Sequence, residues 1–449
     1  MNDRKDISGT VEERAPGTLI YGYEPGQYRR FRRFAYQYLI AFCFLYCTLY
    51  CSRLSLANAG GVLMRELDFS KTDIGILTSV LFWSYAVGQL INGRLSDLTS
   101  PGKLIVLSVI LSSLCNLLIS TQTKLLPMAL IWGLNGFAQS MAWAPGIAVI
   151  TKWWPGKKRG FATGFALAFS GFGQVVAILS AVFSLKLFPS LGWRSVFLVS
   201  AAIPLIMLMV YFVFARTSPA KVALPEYRED EDVRIHEDEL TKESRSHGVL
   251  YAYRYVLSER RFRTWILIVF LAGLTRHGLS TWVPMYFIDA YGINITSGLL
   301  QSLPLPLGMG IGTIVVPWLT DKFCPDNRLI AVIFSAFTAA VIVSVFVLLN
   351  PLIPWQRVLI YFCLFTAGFC IYAISGTSGA YATDVGGRVF SGTSTGLLSF
   401  SAYVGAALQS LIYGVLLDKV GWILVFVSIA VFSVITGFLA LSHTKRKSR

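Results

Sequence analysis

Apolar residues in this chain gather into runs of about twenty, separated by short polar breaks, and do not alternate as they would in half-buried strands. As a helix, one such run spans a hydrocarbon layer roughly 30 Å thick. Twelve runs read as helices, over roughly 34–58, 72–96, 103–121, 125–150, 160–186, 193–215, 263–288, 297–320, 328–349, 356–383, 391–417 and 421–442. One long polar stretch, Thr217–Arg261, separates the sixth from the seventh. The pattern predicts an all-α polytopic membrane protein: an N-terminal tail (1–33), a six-helix half (34–215), a linker (216–262), a second six-helix half (263–442) and a basic tail (443–449).

Spacing within the runs points to an internal repeat. Arg53 and Arg276 lie 223 positions apart (276 − 53), and Asp97 and Asp321 lie 224 apart (321 − 97). Gly160-Phe-Ala-Thr163-Gly164 opens the fifth run, and Gly392-Thr-Ser-Thr395-Gly396 opens the eleventh. Matches in the same order argue for two pseudo-symmetric halves with a site between them.

Composition agrees. Of 449 residues, 55% are hydrophobic and 14% charged, against about 25% charged in an average soluble chain. No apolar segment followed by a small-residue cleavage site precedes the first run, which therefore reads as a retained helix. The net charge of +15 would suit nucleic acid, but its placement does not. Arg29, Arg30, Arg32 and Arg33 precede the first run, Lys152, Lys157, Lys158 and Arg159 follow the fourth, and Lys445, Arg446, Lys447 and Arg449 end the chain. All three clusters fall on one side of the membrane, which makes that side, with both termini, cytoplasmic. The acidic block Glu226–Asp232 and the linker cations read as solvated charge. Seven scattered cysteines imply no disulfide framework, and the Cys43, Cys47, Cys51 stripe reads as small thiols between helices rather than a metal site. No P-loop is present, and no cofactor is expected.

Candidate chemistry lies in the polar residues that the runs carry. An arginine inside a membrane-length segment costs about 2.5–3.5 kcal/mol on insertion scales and marks a substrate or ion path. Arg53 shares a helix face with Tyr46 and Tyr50, at i, i+4 and i+7, and Arg276 sits in a later run beside His277. Two guanidinium groups facing one cavity suit a doubly charged anion, since each offers a planar fork of donors. Few acids lie deep in the runs, which supports exchange over a carboxylate proton relay.

Gly93-Arg-Leu-Ser-Asp97, echoed by Pro317-Trp-Leu-Thr-Asp321, resembles the cytoplasmic loop signature of the major facilitator superfamily. Four stretches are similar to one branch, the organophosphate:phosphate antiporters. They are Tyr50-Cys-Ser-Arg53; Asn135 through Pro145 running on to Lys152–Gly160; Arg276-His-Gly-Leu-Ser-Thr-Trp282-Val-Pro284-Met-Tyr286; and Trp318–Lys322 with Asp326-Asn327-Arg328. The resemblance implies a non-enzymatic transporter that exchanges glycerol phosphate or sugar phosphate for inorganic phosphate; a monomer is expected, and the absence of a targeting segment points to the inner membrane. It places Arg53 and Arg276 on the phosphate and Tyr46, Tyr50 and Tyr85 along the cavity, and assigns gating to Asp97, Asp321 and Arg159. Departures from the branch are Gln89, where relatives carry a lysine, Ser170 in place of a histidine, and Pro306 near the place of an acid. The lost lysine leaves His277 as a partial replacement or a packing residue. It also keeps open a proton-coupled carboxylate or sugar-acid symporter, and the resemblance leaves a further reading, a non-transporting sugar-phosphate sensor, since one branch of the family signals sugar phosphate.

Overall fold

The computed structural model describes residues 20–227, 239–244, 246–248, 250–324 and 327–444, without the side chains of Lys157 and Asp321. Six long helices form the first half: α1 (Pro25–Glu66), α2 (Lys71–Leu98), α3 (Pro101–Ile119), α4 (Leu125–Trp153), α5 (Gly156–Leu187) and α6 (Trp193–Phe214). A short helix, α7 (Tyr251–Ser258), precedes the second half. That half comprises α8 (Arg260–Tyr291), the pair α9 (Ile295–Gln301) and α10 (Pro304–Phe323), α11 (Leu329–Val347), α12 (Pro354–Gly386), α13 (Ser391–Lys419) and α14 (Trp422–Thr444). Among the described residues no strand forms beyond an isolated bridge between Ile20 and Tyr23.

Several helices exceed the apolar runs that announce them. Pro25 sits in the first turn of α1, and Glu24 and Gln27 close a capping box, so the 42-residue helix takes in the basic segment Arg29–Arg33. The eighth span is broken instead of continuous. Pro304 has no N–H to carry the preceding turn onward and opens α10. Among the described residues eleven stretches are long and apolar enough to cross a membrane, with α9 and α10 counted together. The twelfth expected span is α4, a full 29 residues packed on α2 and α3 but diluted by buried Asn135, Gln139, Ser140 and Pro145.

The halves meet along two seams. In the first, α2 runs antiparallel to α13, and glycines allow backbone-to-backbone approach. A Cβ on Gly93 would lie 2.7 Å from the Gly392 carbonyl, and one on Gly75 would lie 2.6 Å from that of Ser410. Each end of the seam is closed by a carboxylate from one helix capping the N-terminus of the other. Asp97 accepts from the Gly392 N–H at 3.0 Å, the Thr393 N–H at 2.9 Å and the Thr393 hydroxyl at 2.6 Å. At the far end Asp418 accepts from the Thr72 N–H at 2.9 Å and its hydroxyl at 2.5 Å. Lys71 adds an ion pair to Asp289 at 3.0 Å, and the Trp422 Nε1–H donates to the same carboxylate at 2.7 Å. In the second seam α5 packs on α10, where Gly171 touches the backbone of Gly310.

The linker departs from the expected solvated chain. Tyr227 is buried and donates to the Thr151 carbonyl at 2.8 Å, and the Tyr23 hydroxyl reaches the Pro225 carbonyl at 2.5 Å. Glu226 pairs with Arg388, at the α12–α13 turn, at 2.5 Å. Ala252 and Val256 of α7 are buried, and Tyr253 donates to the Leu90 carbonyl at 2.7 Å. This part of the linker straps both halves at one end of the bundle. Residues 228–232 of the acidic block and the basic tail 445–449 lie outside the described residues.

Candidate functional site

The face predicted for α1 forms as a ladder. Tyr46 and Tyr50 meet edge to face with ring centroids 5.5 Å apart, and the Arg53 guanidinium lies 4.6 Å from the Tyr50 ring and 5.8 Å from that of Tyr46. Tyr85, from α2, covers Arg53 on another side at 4.7 Å. Arg53 is only 3% exposed, and its N–H groups are shared among three acceptors. Nη1 donates to the Tyr403 hydroxyl at 3.0 Å, Nη2 to the Tyr85 hydroxyl at 3.4 Å, and Nε and Nη2 to Gln139 Oε1 at 3.3 and 3.1 Å. Gln139 is held in turn by donating to the Ser112 hydroxyl at 2.7 Å and the Leu49 carbonyl at 3.2 Å.

Arg276 approaches from the other half and is 7% exposed. Its guanidinium lies 4.9 Å from the Tyr372 ring and 5.7 Å from the Tyr403 ring, and Nη1 donates to Ser375 Oγ at 3.4 Å. Tyr403 therefore touches both arginines, one through its hydroxyl and one through its face. Tyr372 links the halves as well, with its hydroxyl 2.8 Å from Ser170 and 3.5 Å from the Tyr50 hydroxyl. Among the described residues neither arginine has an acidic partner; the ion pairs lie elsewhere, at Lys71–Asp289, Arg328–Asp384 and Arg388–Glu226. Two buried guanidiniums held only by neutral groups are electrostatically incomplete, because burying a charge without a counter-charge is costly. Both keep donor capacity for an anion.

Other candidates take different places. His277 stacks between Phe82 and Tyr403 and lies 2.5 Å through Nε2 from Arg276 Nη2. Arginine cannot accept, so His277 accepts there with Nε2 unprotonated, and it is no substitute for a missing lysine. Gln89 is buried but turned away from the cavity, donating to the Ser140 carbonyl at 3.2 Å. Arg159 is also remote, reaching the Tyr227 hydroxyl at 3.3 Å and the Trp154 carbonyl at 3.4 Å. The side chain of Asp321 lies outside the described residues. Tyr372, Tyr403 and Gln139 were not nominated by sequence. Gln139 sits inside one of the four quoted stretches, but a mid-span tyrosine gives no comparable signal.

A cavity of about 60 Å³ opens beside Arg276, bounded by Tyr46, Tyr50, Tyr85, Arg276 and Tyr403; Arg53 touches Tyr50, Tyr85 and Tyr403 and is not itself among the lining residues. It extends along α12 and α13 toward the ends at Gly386 and Ser391, the end where Thr151 of α4 meets Ser391 at 3.2 Å. Since roughly 10–15 Å³ of such space is the least that holds one water, this is room for several waters.

Known proteins match along most of the chain. The model of the Major Facilitator Superfamily covers residues 42–410. A probable hexose phosphate transport protein of Chlamydia trachomatis is 24% identical over 92% of this chain and 91% of its own length. The glycerol-3-phosphate transporter of Bacillus subtilis is 26% identical over 86% and 87%, and the membrane sensor protein UhpC of Escherichia coli is 25% identical over 85% and 84%. In shape the chain resembles a bacterial homologue of the lysosomal transporter Spinster in an inward-facing, unoccupied conformation, with a TM-score of 0.67 at 16% identity over 92% of this chain and 97% of that one. The nucleoside transporter NupG gives 0.63 at 15% identity over 92% and 100%. These matches bear out the resemblance to the organophosphate branch and make the chain a transport protein rather than an enzyme. The chain belongs to the major facilitator superfamily.

Proposed function

We propose that the chain is a secondary active transporter that takes up a small organic phosphate in exchange for inorganic phosphate, acting as a monomer. The observation that carries this reading is the pair of buried guanidiniums, one from each half, that lack a carboxylate and converge on Tyr403. A phosphate dianion bound between Arg53 and Arg276 supplies the missing counter-charge and draws residues 34–215 and 263–442 together. The ligand drives reorientation only through its higher affinity for the closed state. Asp97, which caps the Gly392 end of the α2–α13 seam, belongs to the gate, with Asp321 as its expected counterpart in the second half. In this reading the strap and both termini face the cytoplasm from an inner membrane, and the placement of the cations supports that sidedness.

The test is exchange of radiolabelled phosphate into proteoliposomes preloaded with unlabelled phosphate. Wild-type protein is expected to exchange, and Arg53→Lys and Arg276→Lys each to lose at least about a hundredfold, because a point charge replaces the bidentate fork. Exchange near the wild-type rate in both variants would overturn the two-arginine clamp.

A second reading, a non-transporting sensor, is favoured by the likeness to UhpC. It predicts phosphate-ester binding with no flux in the same vesicles. The carboxylate symporter finds less support, since among the described residues no aspartate or glutamate lines the cavity and Gln89 stands off it.

A further inference from the structure

The turn between α12 and α13 is gripped by the linker from two sides. Gly387, at φ +55°, turns the chain out of α12, and Arg388 and Phe390 then lead into the first turn of α13, the turn that Asp97 caps. The linker reaches this turn first through Tyr227, which is 2% exposed. Its hydroxyl donates to the Thr151 carbonyl at 2.8 Å, an acceptor left over at the end of α4 because Pro155 has no N–H to offer it. Arg159 Nη2 donates to the same hydroxyl at 3.3 Å, and Phe31 of α1 meets the ring edge to face at 5.9 Å. These contacts fix Tyr227 to the first half.

Toward the second half Tyr227 offers its ring face, with the Arg388 guanidinium 4.6 Å from the centroid, while Glu226 pairs with Arg388 at 2.5 Å. The Glu226 side chain is 68% exposed, so solvent screens this pair and it breaks more easily than the buried anchor. On the other side α7 covers Phe390 with Tyr255 and Tyr251, at ring-centroid distances of 5.4 and 6.2 Å, and Arg94 of α2 lies 5.7 Å from the same ring. A buried anchor on one half and a screened grip on the other suit a fastening that releases, where a plain spacer would need neither.

We propose that the linker is a clasp on the α12–α13 turn: Arg388 has to leave Glu226 and the Tyr227 ring before α13 can draw away from α2 and α4 at this end of the bundle. The clasp holds that end shut at rest and sets how often it opens. It rests on the alternating-access reading and acts apart from the Asp97 cap, since Glu226 and Tyr227 touch neither that carboxylate nor the two buried arginines.

The experiment reads both ends of the protein with single cysteines, in a background where the partly exposed Cys324 is serine. Ser399→Cys lines the cavity that extends toward the clasp, and Asn58→Cys borders the small cavity on the far side of the arginines. Each is labelled by an impermeant thiol reagent added to its own side of oriented membrane vesicles. Glu226→Gln is expected to speed labelling of Ser399→Cys about twofold, the worth of one exposed ion pair. Arg388→Gln, which also loses the ring contact, should speed it about fivefold. Labelling of Asn58→Cys should fall in both, which a change of local charge at the clasp does not produce. Glu226→Gln should add nothing once Arg388 is replaced. Asp97→Asn is the comparison. If it moves both reporters and the clasp variants move neither, the clasp is overturned while alternating access stands. If no variant moves either reporter, alternating access fails and the clasp falls with it. Labelling that rises at both ends together would show loosened packing and would also overturn the clasp.

Discussion

Tyr403 is the residue on which the two halves agree. Its hydroxyl takes an N–H of Arg53 at 3.0 Å while its ring lies beneath Arg276. Tyr403→Phe keeps the ring and removes the acceptor. It is expected to raise the phosphate KM several-fold in the exchange assay, with a smaller change in maximal rate, since one net hydrogen bond is worth about 0.5–1.5 kcal/mol. His277 makes the opposite case. It serves Arg276 as a neutral acceptor, so His277→Gln should retain transport and His277→Lys should abolish it; equal activity in both would remove the acceptor role. The arginines themselves were legible in the sequence because a charge within an apolar run has few explanations. Tyr372 and Tyr403 were not, because a tyrosine in a span is ordinary and only tertiary packing from α12 and α13 brings these two to the site. Gln89 misled for a related reason. Its place on the second helix is that of a family lysine, yet its amide faces α4 and bonds Ser140.

At the scale of elements, the α2–α13 seam is closed by two reciprocal caps, each a carboxylate on the first turn of the partner helix. An N-cap acceptor stabilises by about 0.5–2 kcal/mol, enough to bias a two-state equilibrium several-fold without locking it. The two caps oppose each other. Asp418→Asn is expected to favour opening at the Thr72 end, and Asp97→Asn at the Gly392 end. A cysteine at Asn58, which borders a small cavity on the far side of the arginines near Ser302, reads this out. Its labelling by an impermeant thiol reagent added to that side should rise with Asp418→Asn and fall with Asp97→Asn. The same direction in both would exclude opposed gates. Sequence announced Asp97 through its motif. Asp418 had no such signal, because Leu417-Asp-Lys419 looks like any helix end. Helix number and order were readable from the apolar runs. The break before Pro304 and the packed linker were not, since both depend on what neighbouring helices cover.

For the whole molecule, the two buried guanidiniums without acidic partners govern what an empty carrier can do. On the proposed reading, the unloaded protein would carry two uncompensated positive charges through the closed, low-dielectric state, while the phosphate-loaded protein would pass through it nearly neutral. On the proposed exchange reading, that difference would work as a ratchet against leak, because a site that has released one anion would have to take another before it could turn over. Gln139, whose Oε1 already accepts from Arg53 at 3.1 Å, is the position from which to defeat it. Gln139→Glu installs a permanent counter-charge there. It is expected to weaken phosphate binding at least tenfold and to let empty carriers return, so that vesicles loaded with phosphate drain into phosphate-free buffer. A variant that binds weakly but still drains only against external phosphate would place the coupling elsewhere. On the proposed reading, obligatory exchange would then follow from a carboxylate that is missing beside the arginines among the described residues.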